Sequence, residues 1–256
     1  MIHEERVKPL NRHSTQKGTC VLYWMQASQR TEYNHALEFA VEKANELNQP
    51  LIVYFGLTDA FPEANERHYH FMLEGLQHVR QALRSRGIGM CIERVSPDTG
   101  VLRYAKNASL VICDRGYLKI QKQWRKYVAE HLSCPLLQVE SDVVVPLEAV
   151  SGKEEYSAAT LRRKLLPMVH RYLVPLPEKT PRIDSTRLEF ESYDISDVAL
   201  VISGMDIDHT VKPVAGFRGS TEEAKERLDK FIGSKLDKYL DLRNDPNEDG
   251  VSHLSP

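Results

Sequence analysis

Two short segments carry the side chains best equipped to hold a ligand. Met25-Gln26-Ala27-Ser28-Gln29-Arg30 offers amide, hydroxyl and guanidinium groups directly after an apolar run, and Asp114-Arg115-Gly116-Tyr117 sets a carboxylate, a guanidinium and a phenol close together. The second segment reads either as a structural turn or as the wall of a chromophore pocket, and the residues alone leave both open. Neither segment is a G-x-G-x-x-G turn, so the usual pyrophosphate fingerprint for NAD is absent. A P-loop and a G-x-S-x-G nucleophile elbow are missing too. His68-Tyr69-His70 would point its two imidazoles about 200° apart around a helix, which cannot serve one metal. Cys20, Cys91, Cys113 and Cys134 lie in or beside apolar runs, with no C-x-x-C pair and no histidine at zinc-finger spacing. They read as buried reduced thiols. No metal ligand set and no catalytic acid, base or nucleophile is expected.

The elements that must position these segments show as an alternation. Apolar, β-rich runs at 19–24, 51–55, 90–95, 110–113 and 136–139 predict five strands. Leu37, Ala40, Val41, Ala44 and Leu47 recur at helical spacing until 48–50 stops them. Tyr69, Met72, Leu73, Leu76, Val79 and Leu83 predict a second helix ending at Gly87, and Ile120, Trp124, Tyr127, Val128 and Leu132 a further crossover. Right-handed crossovers make this a Rossmann-like α/β domain with a five-stranded parallel sheet. In such a sheet a ligand sits outside the carboxyl ends of the strands, here 25–30, 56–59 and 114–117. Trp24, in a strand, and Trp124, on a helix face, are expected in the core.

Beyond 146 the alternation is lost. Residues 157–172 predict a helix whose Arg162, Arg163, Lys164 and Arg171 face either solvent or a polyanion. Pro175, Pro177, Pro181 and Pro213 break the stretch 174–219, where acids dominate from 184 to 208; this is a connector. Ser220 and Glu223 form a capping box ahead of Ala224, Leu228, Phe231, Ile232, Leu236, Tyr239 and Leu240, an amphipathic helix over 221–240 whose apolar face needs a partner. The expected organisation is an α/β domain at 1–146, a helix and connector at 147–219, and a third segment at 220–256. With 41% hydrophobic and 27% charged residues the chain is not disordered, and a net charge of -2 leaves no global basic field for nucleic acid. Its apolar runs fall far short of the roughly 20 residues of a membrane span. The polar N-terminus offers no secretory signal, so the cytoplasm is the expected location.

Longer motifs carry a resemblance. Tyr23-Trp24-Met25-Gln26-Ala27-Ser28-Gln29-Arg30 is followed by Tyr33-Asn34-His35-Ala36-Leu37, then Phe55-Gly56-Leu57-Thr58 and Phe61-Pro62-Glu63-Ala64-Asn65-Glu66-Arg67. Further on come Cys113-Asp114-Arg115-Gly116-Tyr117-Leu118, Val139-Glu140-Ser141-Asp142-Val143-Val144-Val145-Pro146, Arg243-Asn244-Asp245-Pro246 and Leu254-Ser255-Pro256. Spread over nearly the whole chain, these resemble the class II cyclobutane pyrimidine dimer DNA photolyases.

The resemblance implies an N-terminal α/β antenna domain, a connector and the start of an all-α FAD-binding domain. Its implied activity is light-driven repair: reduced FAD donates an electron to a dimer flipped out of UV-damaged DNA, and the cyclobutane ring splits. It makes the ligand at the strand ends a light-harvesting chromophore such as a deazaflavin, contacted by Met25, Gln26, Arg30, Asp114, Arg115 and Tyr117. It places flavin contacts at Tyr239 and in a phosphate-cradling loop of Val251, Ser252, His253, Leu254 and Ser255. His253 stands where many relatives have arginine, and Val251 where other photolyase classes have a hydroxyl. Arg243 lies where the family sets a basic residue near the DNA backbone; capping of the preceding helix explains it equally well. Members continue past the L-S-P motif with further helices, so the 256 residues are expected to be an N-terminal half. Such a half is expected to be inactive in dimer repair and prone to self-association. The alternative is a non-catalytic, cryptochrome-like domain that binds a chromophore or nucleotide.

Overall fold

A computed structural model describes residues 2–254. The predicted strands form as β2 (Cys20–Trp24), β3 (Leu51–Leu57), β4 (Gly89–Arg94), β5 (Ala108–Asp114) and β6 (Leu136–Val139), and all of them pair in parallel. A sixth strand corrects the five-stranded expectation: β1 (Val7–Pro9) lies antiparallel on β6, giving the order β1-β6-β5-β2-β3-β4. Val7-Lys8-Pro9 shows no apolar alternation because it is an edge strand only three residues long. Its neighbour Arg6 anchors it: this arginine is 2% exposed and donates to the carbonyls of Glu140, Val143 and Val144.

Helices cover the sheet where the apolar spacing places them. Asn34 caps α1 (His35–Leu47) by accepting the Leu37 N–H at 2.9 Å, and Asn48 ends it in the left-handed region. The helix α2 (Glu66–Ser85) stops before Gly87, whose φ of +76° suits glycine. Between β4 and β5 lies α3 (Pro97–Ala105), followed after β5 by α4 (Lys119–His131). Trp24 and Trp124 share one core cluster with Leu22, Tyr54, Val128 and Leu136, as expected. All four cysteines are free and buried. Burial pushes the thiols of Cys20 and Cys91 up to about 11, so they stay protonated near neutral pH.

The chain divides into two compact units, Met1–Phe61 with Val79–Asp194, and Pro62–His78 with Ile195–Pro256. In the first, the connector seals the free edge of β4. Ser185 is fully buried; its N–H reaches Gly87 O, while its hydroxyl accepts the Gly89 N–H at 2.8 Å and donates to Leu51 O at 2.5 Å. Further along, Tyr193 N–H donates to Ile92 O at 2.7 Å. Unpaired edge groups are thereby satisfied by irregular chain. After β6 come α5 (Leu147–Val150), α6 (Ala158–Leu165) and α7 (Val169–Tyr172). The single helix expected over 157–172 is broken at Leu166–Met168, a 3-10 turn around Pro167. Of its basic residues, Lys164 pairs with Glu155 and Arg171 with Glu5, while Arg162 and Arg163 are exposed.

In the second unit the connector contains α8 (Val198–Ser203), capped by Asp197. The helix expected over 221–240 divides into α9 (Thr221–Ser234), a 3-10 turn at Leu236–Lys238 and α10 (Tyr239–Leu242). Ser220 caps α9 by accepting the Glu223 N–H at 3.0 Å, whereas the Glu223 carboxylate turns to Arg227. No helix among the described residues is long and apolar enough to cross a membrane.

His209 clamps this unit. Its Nδ1 lies 3.0 Å from Glu66 Oε2 and its Nε2 3.1 Å from Met205 O, two acceptors that together require both ring nitrogens to be protonated. Lys212 adds a second cation to Glu66 at 2.8 Å. The Glu66 carboxylate and the Met205 carbonyl raise the imidazole above its ordinary 6.5. The clamp is therefore complete below pH 6.5 and is lost as pH rises through the folded-state value. NMR titration of the His209 ring should give a midpoint above 6.5 that falls in E66Q. A midpoint at or below 6.5 in the unaltered chain would refute the doubly donating ring.

Candidate functional site

The site candidates of the first unit meet where β2, β5, α1 and the segment after β6 converge. Asp114, at the carboxyl end of β5, is 3% exposed. Its Oδ2 accepts the backbone N–H groups of Gln26, Ala27 and Ser28 at 2.7, 2.9 and 3.0 Å, and its Oδ1 accepts the Tyr23 hydroxyl at 2.5 Å. Burial pushes the Asp114 carboxyl upward, against the four donors that favour its charged form. The Tyr23 phenol is held far above its ordinary value by burial and by Asp114. Asn34 Nδ2 donates to Tyr23 Oη at 3.0 Å and reaches the Ser28 and Arg30 carbonyls, tying the loop to the start of α1.

The remaining antenna candidates are held by similar internal bonds. Gln26 donates to Gly56 O at 3.1 Å and accepts the Trp24 indole N–H at 3.2 Å. Arg30 donates to Asp142 at 3.0 Å and to Ser141 O at 2.8 Å. Arg115 pairs with Glu140 and Glu148, each at 3.3 Å, and lies over the Tyr117 ring. Tyr117 donates to Glu140 at 2.6 Å; burial and that carboxylate raise its phenol. Met25 is fully buried.

Fit to a chromophore can be judged from the space. The cavity lined by Trp24, Gln26, Cys113, Asp114, Trp124 and Arg125 measures about 10 Å³. That is room for a single water molecule, against the roughly 300 Å³ or more of a ligand pocket. The two segments come together at the strand ends in a hydrogen-bonded lattice, and this cavity, which Met25, Arg30, Arg115 and Tyr117 do not line, has no room for a chromophore. Among the described residues no group of three histidine, cysteine or acidic side chains could hold a metal.

The flavin candidates lie in the second unit. Tyr239, at the start of α10, packs edge-on against Phe231 with centroids 5.7 Å apart, and the Arg243 guanidinium sits over its ring at 5.6 Å. Arg243 also occupies the C-cap of α10, so both its readings stand. In the loop, Ser252 Oγ accepts the Leu254 N–H at 3.3 Å and His253 has φ +55°, a left-handed residue of the kind that gathers backbone N–H groups. His253 and Lys235 both reach Asp249, at 2.6 and 2.7 Å, and hold its carboxyl down at about 2. Lys235 also donates to Val251 O at 3.2 Å. The Ser252 hydroxyl and His253 imidazole of the loop, with the Lys235 ammonium that reaches it from the end of α9, are the donor types a pyrophosphate takes, so these residues fit the group. Ser255 lies outside the described residues.

Sequence reasoning overlooked Tyr23, Asn34, Glu140, Ser141 and Asp142 as members of the strand-end lattice. Their signal was present, since all five fall inside the long motifs, but a motif does not reveal which carboxylate turns inward.

Comparison with known proteins gives four findings. The DNA photolyase family profile matches residues 21–182. A deoxyribodipyrimidine photo-lyase of Methanothermobacter thermautotrophicus is 46% identical over 257 aligned positions, covering 100% of this chain and 57% of its own. A bacterial class III photolyase from Agrobacterium tumefaciens superposes with a TM-score of 0.70 at 17% identity, over 95% of this chain and 50% of that one. An archaeal photolyase from Sulfolobus tokodaii, solved with two FAD molecules, superposes at 0.59 and 17% identity, over 82% of this chain and 45% of that one. The chain thus spans about half the length of the proteins it matches.

Proposed function

The chain belongs to the DNA photolyase family, and from that premise we propose that it is the α/β half, with the first flavin-contacting segment, of a class II cyclobutane pyrimidine dimer photolyase. The observation that carries this reading is the likeness to the Methanothermobacter photo-lyase, which runs the whole length of the chain. The class II assignment is supported by the motifs at 23–37, 55–67 and 113–118. Residues 1–146 are read as the antenna domain, 147–219 as helix and connector, and 220–256 as the opening of the FAD-binding domain.

Reduced FAD, when bound, supplies the photoexcited electron that opens the cyclobutane ring of a pyrimidine dimer and then recovers it. The residues of this chain bind and orient. Lys235, Ser252, His253 and the N–H groups of the 251–254 loop hold a pyrophosphate, with Asp249 fixing the Lys235 and His253 side chains in place. Tyr239 offers a ring face, and Arg243 an exposed guanidinium for a DNA phosphate. Met25, Gln26, Arg30, Asp114, Arg115 and Tyr117 stay the residues of this chain nearest an antenna chromophore, to which no step is assigned. In isolation, the exposed Leu228, Ile232, Leu236 and Leu240 favour self-association.

A chimaera tests the reading. Replacing the matched region of the Methanothermobacter photo-lyase with this chain should preserve light-dependent dimer repair within about tenfold, or about 1.4 kcal/mol of transition-state stabilisation. A folded, flavin-loaded chimaera without repair would refute it.

A further inference from the structure

The sheet order β1-β6-β5-β2-β3-β4 places the switch point between β2 and β5, since the chain leaves β2 towards β3 and returns on its other side at β5. In doubly wound folds the crevice at that point receives the ligand, and the backbone amides of the first βα turn receive its phosphate. Here the turn after β2 does present three successive N–H groups, those of Gln26, Ala27 and Ser28, converging on one point. That point is occupied by Asp114 Oδ2, delivered from the neighbouring strand at the switch point. The second oxygen is fixed by the Tyr23 hydroxyl, so every partner of the carboxylate is a donor, as around a bound oxyanion.

We infer that Asp114 is a built-in substitute for a ligand phosphate: it fills the anion nest of the first βα turn and makes the α/β unit refuse phosphate-anchored nucleotides at its switch point. The three amides need no glycine because no external group has to approach them; the turn is Gln-Ala-Ser and its carboxylate partner is covalently attached. Arg125 stands close by, 9% exposed and donating to Gly116 O at 2.6 Å, so removal of the carboxylate leaves a nest in a positive field. The geometry closes this nest to a nucleotide held by its phosphates. Asp114 is a specificity-determining residue by exclusion.

Anion rescue tests this in the full chain. D114A should melt at lower temperature and regain stability saturably with sodium formate or inorganic phosphate at constant ionic strength, as ligand linkage requires. The unaltered chain should respond at least about tenfold more weakly. An equal response in both chains, or none in D114A, overturns the inference. A second measurement needs no variant to fold: the ¹⁵N-labelled unaltered chain is titrated with inorganic phosphate and with ADP. The Gln26, Ala27 and Ser28 amide signals should stay in place, and saturable movement of all three would overturn the inference.

Discussion

Trp24→Ala should destabilise the α/β unit by about 3–5 kcal/mol, a large share of the roughly 5–15 kcal/mol that holds a domain folded. The indole is 1% exposed at the end of a central strand, packed in the cluster that includes Tyr54, Cys113 and Trp124. Truncation removes its apolar surface and leaves a void that parallel strands on both sides cannot close, because their spacing is fixed by backbone pairing to β3 and β5. It also takes the indole N–H from Gln26 Oε1, which keeps only the longer 3.4 Å bond from the Gly56 N–H, and so loosens the side chain whose Nε2 anchors the first βα turn to Gly56 O. In urea the midpoint should fall with an unchanged slope, and the melting temperature should drop by about 10 °C. Trp24→Phe, which keeps most of the volume, should recover more than half of the loss. A change below about 1 kcal/mol in W24A would contradict the assignment of this residue to the core.

The same residue shows why the fold was legible in the sequence and the site only in part. Strands β2 to β6 and the helices α1, α2 and α4 bury apolar side chains at fixed spacing, and that spacing is written in the chain. Elements held by partners distant in sequence leave no such trace. Strand β1 exists because β6 offers it an edge and because Arg6 reaches the carbonyls of Glu140, Val143 and Val144. The strap at 185–193 exists because β4 has edge groups to satisfy; Ser185, fully buried, reads in sequence as one more polar connector residue. In the site, residue types pointed to the right two segments. Whether Asp114 faced a ligand or its own backbone depended on the shear between β2 and β5, which pairs Trp24 with Cys113 and so sets Asp114 beside the turn that follows β2. Register across a parallel pair is a tertiary quantity.

The largest functional effect expected is a null one: incubated with FAD and irradiated with near-UV light, the isolated chain should show no dimer repair and retain no stoichiometric flavin. The loop at 251–254 supplies donors for a pyrophosphate, but contacts of that kind are made in water and compete with it; a ligand of flavin size is held when about 70–90% of its surface is buried. Within the second unit the side chains around Tyr239 are open to solvent. Leu236 and Leu240 are 48% and 75% exposed, and the flanking Leu228 and Ile232 are exposed too. A ring placed there would leave much of its area in water and gain little of the roughly 25 cal/mol per Å² that burial supplies. The photo-lyase relative carries much further chain outside the matched region, and walls for the ring are to be sought there. An absorption spectrum after desalting, followed by a repair assay, decides the matter. Flavin retained one to one with light-dependent repair would show that these residues close a complete site, alone or as an oligomer through the α9 stripe, and would overturn the reading of the chain as half of an enzyme.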